Sequence, residues 1–422
     1  MRRAILLLSI SLLVGPTGYS ELNDVEESIL SRVDEQFEST VDLLAKVVDI
    51  PSATENLDGV RQMSRVYESE FAKIGFEARW VPLPAESGRA GHFVAETSGN
   101  HRPRILFIGH LDTVLEEEGW KREDDLAYGS GIADMKGGNA IILAALSALH
   151  AEGRLDERQI IVVFTGDEES PGEPLPVVRE TLIDAARRSD VALAYEGAGD
   201  GTAVVGRRGI STWRLEVSGE TGHSSVIFSE DRGSGAIFEA ARILSAFHED
   251  LPEPNLTFNP AVIVGGTEVD YDAATNKGAA HGKTNVVPQR VVVEGDLRFL
   301  TRDQLHSARD QMQAIVDRHL PRTSASIEFF DSYPAMAPTD GNRRLLTLYD
   351  QVSLDLGFGA VAEYDPGRRG AGDISFVADL VDGLDGLGAF GERSHAPGES
   401  IEIEKLRMQI KRTAILVDRL LH

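Results

Sequence analysis

The most constraining feature of this chain is a set of short, wholly apolar runs, each leading into an ionisable side chain. Ile105 to Ile108, Ile160 to Phe164 and Val191 to Ala194 contain no polar residue. Runs this short and uninterrupted are the pattern of strands buried on both faces, as in a parallel sheet covered by helices. Helical spacing supplies the covers. Apolar residues recur at Val25, Ile29, Val33, Phe37, Val41, Leu44 and Val47, and a second helix-like stretch spans about 58–74. Ile141, Ile142, Ala145, Leu146 and Leu149 share one face of 138–150. With Gly91 to Ala95 as a further apolar run, the alternation predicts an α/β domain with a mostly parallel sheet.

The texture changes near residue 210. Ser211 to Val217 alternates, with Trp213, Leu215 and Val217 on one side. A helix pattern follows from Ser234 to Phe247, then a strand over Val291 to Phe299, a helix across 302–319 and a strand over Ser326 to Phe330. That order predicts a small α+β unit with one exposed sheet face. The α/β texture returns from about 340. At 422 residues the chain exceeds the roughly 250–300 that one core supports. The expected division is a signal peptide at 1–20, an α/β domain at 21–210 and 334–422, and an inserted domain at 211–333.

Arg2 and Arg3, the apolar run Ala4 to Val14 and the small residues up to Ser20 form the secretory pattern. The run is shorter than the roughly 20 residues of a spanning helix. The expectation is an exported protein, periplasmic or secreted, with no membrane span once the leader is cut. The formal charge is −26, with 42 Lys plus Arg against 68 Asp plus Glu. Phosphate binding needs the opposite balance, so nucleic acid is excluded as a partner. The chain has no cysteine, so disulfides, thiolate metal sites and a cysteine nucleophile are excluded.

Five segments place His, Asp or Glu at strand ends or in Gly-rich loops. His110 and Asp112 follow the first apolar run on one face; a metal ligand with its supporting acid or a satisfied strand-end histidine both fit. Asp134 sits in Gly129-Ser-Gly131-Ile-Ala-Asp134, either as a helix N-cap or as a ligand. A dinucleotide loop fits poorly, because Asp134 stands at the third glycine position. Asp167, Glu168 and Glu169 end the second run; a solvated turn or a bound cation would relieve their repulsion. Glu196 ends the third run, and His395 lies in Gly388-Ala-Phe-Gly391-Glu-Arg-Ser-His395. Without cysteine, imidazole and carboxylate are the natural ligands for one or two Zn²⁺.

In order and spacing these segments resemble the di-zinc exopeptidase family that includes bacterial glutamate carboxypeptidase, aminoacylase and succinyl-diaminopimelate desuccinylase. The resemblance covers nearly the whole chain and implies two zincs per subunit and a lid that serves dimerisation. Asp134 would bridge the metals, His110 and Glu196 completing one site and Glu169 and His395 the other. Glu168 would be general base toward a zinc-bound water, then general acid, and Asp112 would orient His110. The Asp134-Met135 peptide would be cis.

In the lid, His223 would stabilise the oxyanion, while Asn285 and Arg298 would hold the substrate carboxylate, with Arg207 or Arg208 nearby. Gly372 lies in a loop like the family's substrate loop but without its usual Thr before Asp373. The pairs Arg207-Arg208 and Arg368-Arg369 suit bidentate carboxylate binding. The expected activity is hydrolysis of an amide beside a free carboxylate, as in a glutamate carboxypeptidase. The alternatives are an N-acyl amino acid deacylase and a non-catalytic exported binding protein. The substrate would be a small peptide or N-acyl amino acid, and the protein a homodimer through the lid.

Overall fold

The computed structural model describes residues 22–197 and 199–422, so the expected signal peptide lies outside the described residues. Among these, a six-stranded sheet has the order Glu77–Pro82, Gly91–Glu96, Arg158–Thr165, His101–His110, Val191–Ala194, Asp382–Leu384. The last four strands pair in parallel, and the first two join antiparallel.

The apolar runs divide by alternation between two cores. Ile160, Val162 and Phe164 face helices Asp24–Val48, Leu57–Lys73, Gly137–Ala151 and Ile403–Leu421. Ile161 and Val163 join Leu106 and Ile108 on the opposite face, beneath Glu180–Arg187. Burying each such side chain stabilises the fold by about 1.5–3 kcal/mol relative to exposure.

Among the described residues one stretch, Ile132–Ala151, is long and apolar enough to cross a membrane. Its apolar window is 89% buried, because it runs through the centre of the helical layer and is enclosed on nearly every side. Gly138, near its start, lies so close to the strand that precedes Glu196 that a Cβ would stand 2.2 Å from the Tyr195 carbonyl oxygen.

The second sheet has the order Thr257–Gly266, Arg290–Phe299, Gly209–Gly219, Thr323–Asp331 and is antiparallel throughout. Helices Gly235–Asp250 and Arg302–Val316 cover one face, packing Ile243, Phe247 and Met312 against Trp213, Leu215 and Val217. The edge strand Thr257–Gly266 escapes the sequence pattern. It carries Pro260 beside a register shift and ends in two glycines, and most of its side chains are exposed or half-buried. Two antiparallel chain crossings join the sheets: Arg207 and Met336 exchange backbone bonds of 2.9 and 3.0 Å, and Ile210 N–H donates to the Tyr333 carbonyl at 2.9 Å.

Candidate metal centre

Three adjacent parallel strands end level with one another: His110 pairs with Thr165, and Ile108 with both Val163 and Ala194. Their next residues therefore emerge along one sheet edge, where parallel α/β folds bind ligands. His110, Glu168, Glu169 and Glu196 come from these ends. Asp134 and His395 reach the same point from loops.

The Asp134 carboxylate lies between the two imidazoles. Its Oδ1 is 3.2 Å from His110 Nε2, and its Oδ2 is 3.2 Å from His395 Nε2. Glu196 Oε1 is 3.7 Å from His110 Nε2, and Glu169 Oε2 is 3.1 Å from His395 Nε2. His110, Asp134 and Glu196 form one group able to hold a cation, and Asp134, Glu169 and His395 a second that shares Asp134. Glu168 groups with His110 and Glu169 beside them.

The helix-cap reading of Asp134 is excluded. Lys136 is the N-cap of Gly137–Ala151 and makes no side-chain cap, while Asp134 sits in the preceding irregular turn. The Asp134-Met135 peptide is cis. Glu399 holds this turn: its carboxylate accepts from the N–H groups of Gly131 at 2.7 Å and of Ala133 and Asp134 at 2.9 Å. Nothing in the sequence assigns Glu399 this role. Its closeness to His395 was the available signal, but its hydrogen-bond partners lie far away along the chain.

Asp112 supports the site differently from the expectation. His110 Nδ1–H donates to the Asp112 main-chain carbonyl at 2.9 Å, while the carboxylate stands 3.6 Å from that nitrogen. The carboxylate accepts instead from Thr54 Oγ1 at 2.8 Å and from the N–H groups of Glu168 and Glu169, both at 3.1 Å. It thus caps the Glu168-Glu169 turn. The solvated-turn reading fails as well. Asp167 is fully buried and pairs with Arg179 at 2.6 Å.

Electrostatics favour a positive occupant. Burial and Glu196 push the Glu168 carboxyl well above its usual range, and burial and Asp134 push Glu196 up to about 8. Hydrogen bonds to Asp134 and Glu169 raise His395 to about 10. Clustered acids in low dielectric need a shared positive charge, which divalent cations supply. Glu169 Oε1 is buried and has no hydrogen-bond partner among the described residues. Two imidazoles with carboxylates match the donor preference of Zn²⁺.

The proposed substrate residues lie apart from this cluster. His223 is exposed on a lid loop, its Nδ1 2.8 Å from Ser225 Oγ, and it pairs across to Val286 beside Asn285. Arg208 bonds the Gly367 carbonyl at 2.8 Å and Thr257 Oγ1 at 3.3 Å. Thr257 stands opposite Arg298, which pairs with Asp296 at 3.0 Å. No hydrogen bond or ion pair among the described residues joins these four to the acids. The paired-arginine expectation is corrected: Arg207 is buried against Asp385 and the carbonyls of Gly370 and Ala371, and Arg369 bonds the Gly197 carbonyl. Gly372 packs on Arg207, where a Cβ would stand 2.9 Å from Nη1.

Known proteins resemble this chain along most of its length. The chain is 25% identical over 402 residues to carboxypeptidase G2 of Pseudomonas sp. (strain RS-16), covering 90% of this chain and 88% of that one. It is 26% identical over 354 residues to succinyl-diaminopimelate desuccinylase of Gluconobacter oxydans, covering 79% and 85%. In fold it matches aminopeptidase PepT of Bacillus cereus with a TM-score of 0.71 at 20% identity, over 91% of this chain and 99% of that one. Residues 106–419, which contain the whole cluster from His110 to His395, match the model of the peptidase family M20/M25/M40, and the chain belongs to that family of metallohydrolases.

Proposed function

We propose that this metallohydrolase is a di-zinc carboxypeptidase, hydrolysing the amide beside a free carboxylate, with glutamate as the first candidate for the released residue. The observation that carries the reading is the Asp134 carboxylate between His110 and His395, each imidazole beside a glutamate of its own. His110 and Glu196 would hold one Zn²⁺, Glu169 and His395 the other, with Asp134 shared. When bound, such a pair supplies Lewis-acid polarisation and makes water acidic enough to lose a proton near neutral pH.

The chain's own groups do the rest. Glu168, half-buried beside the cluster, takes that proton and later delivers it to the leaving amine; the elevated affinity of its carboxyl for protons suits both steps. Asp112 fixes the main chain that carries Glu168. Arg208 and Arg298 would receive the substrate carboxylate. Burial and the nearby Arg298 cation both weaken proton affinity at Arg208, and an anion between the two relieves that repulsion. Asn285 would assist them, Gly372 would line the adjoining loop, and His223 would stabilise the oxyanion.

The relative that removes succinyl groups supports a second reading, deacylation of N-acyl amino acids. A panel of peptidyl-glutamate substrates against acetyl- and succinyl-amino acids separates the two. Glu168→Gln should lower kcat by roughly 10³-fold on the true substrate. If zinc-loaded protein cleaves neither class, or Glu168→Gln leaves the rate unchanged, the hydrolytic mechanism is wrong. Dimerisation through the lid is supported by exposed Phe228, Ile237, Phe238 and Ile263 on that domain. Export rests on the sequence of residues 1–20.

A further inference from the structure

The main chain of Glu168 is held from two directions. Its N–H donates to Asp112 Oδ1 at 3.1 Å, within the central sheet's own framework. Its carbonyl accepts from the hydroxyl of Tyr333 at 2.9 Å. Tyr333 belongs to neither sheet. It lies two residues past the last lid strand, Thr323–Asp331, on the return crossing, where its own carbonyl accepts from Ile210 N–H on the outgoing crossing.

The phenol is fixed in place. Its ring packs on Phe376 with centroids 4.8 Å apart, and its hydroxyl accepts from Arg179 Nη2 at 3.3 Å. Arg179 is itself locked by Asp167 at 2.6 Å and Asp373 at 3.0 Å, and it lies over the same Phe376 ring. A rigid anchor thus aims a hydroxyl on the lid's crossing at the peptide that carries the proposed base. A change in lid orientation would be carried through these crossings, and lids that move over active sites pivot at such element-terminal residues.

We infer that Tyr333 is a positioning residue, which ties the orientation of the lid to the placement of Glu168 through its hydroxyl. The inference rests on Glu168 acting as the base. A misplacement of about 1 Å can cost on the order of a hundredfold in rate, so loss of one tether should cost less than loss of the base.

The test is Tyr333→Phe in the full-length zinc-loaded protein, with Glu168→Gln in parallel. Tyr333→Phe keeps the ring on Phe376 and removes only the hydroxyl. The expected result is a fall of about tenfold in kcat, with KM within about twofold and zinc content and melting temperature unchanged. A kcat equal to that of the unaltered protein, while Glu168→Gln is inactive, overturns the positioning role and leaves the base intact. A fall in kcat that tracks lost zinc or lost folded protein also overturns it, since the hydroxyl would then be merely structural. If Glu168→Gln remains active, the reading of Glu168 itself fails.

Discussion

The acids at the edge of the central sheet and the proposed substrate residues are held in different ways. In the central sheet the acids are fixed by donors in distant parts of the chain: Asp112 by two N–H groups and Thr54, Glu399 by three N–H groups, Asp167 by Arg179. Of the proposed substrate residues, His223 bonds a residue two positions away, Arg298 pairs with a neighbour on its own strand, and Arg208, on the crossing into the lid, bonds a carbonyl and a hydroxyl. A constellation that must hold cations at set distances needs this kind of support. Groups that accept varied substrates do not, and loops tolerate them.

Substitutions can break that contrast from either side. The largest effect on that contrast should come from Asp112→Asn, which sets an amide NH2 against the N–H of Glu168 or of Glu169 in place of an accepting oxygen. Metal affinity or kcat should fall about 10–100-fold, read by zinc titration and steady-state kinetics. Values like those of the unaltered protein would mean that the Glu168-Glu169 turn holds itself.

On the lid side, Arg208→Ala should raise KM about tenfold with kcat within about twofold, because a carboxylate clamp acts equally in ground and transition states. A kcat loss exceeding the KM change would move Arg208 into the chemistry and blur the division.

The smallest effect concerns stability. His92 is fully buried, its Nε2–H donating to the Val178 carbonyl at 2.7 Å and its Nδ1 accepting from Gly166 N–H at 3.2 Å. Burial holds this imidazole neutral below its ordinary pKa of about 6.5. Below that pH the unfolded chain binds a proton that the folded one refuses, so stability falls as pH drops. His92→Gln should remove that loss, so the drop in melting temperature from pH 7.5 to 5.5 shrinks by about one or two degrees. An unchanged drop would assign the acid sensitivity to other groups.

The central sheet was legible because its strands are buried on both faces, and Ile160 to Phe164 admits little else. The cluster was legible because His110, Glu169 and Glu196 each come within five residues of the end of such a run. The lid's edge strand was not, since Pro260, Gly265 and Gly266 read as breakers and its exposed side chains show no periodic burial. The supports were also hidden. Glu399 bonds a turn some 265 residues earlier, and Asp373 meets Arg179 only through folding. The direction of the Asp112 carboxylate depends on whether the following strand's turn presents N–H groups to it, which neighbouring residues cannot reveal.

The central claim is that one carboxylate, Asp134, is shared by two cation sites of unlike parentage. Anomalous diffraction at the zinc edge on crystals of the zinc-loaded protein tests it directly. Two peaks about 3.5–4 Å apart are expected on either side of Asp134, one against His110 and Glu196 and the other against Glu169 and His395. A single peak, or peaks that leave Asp134 unliganded, would contradict it.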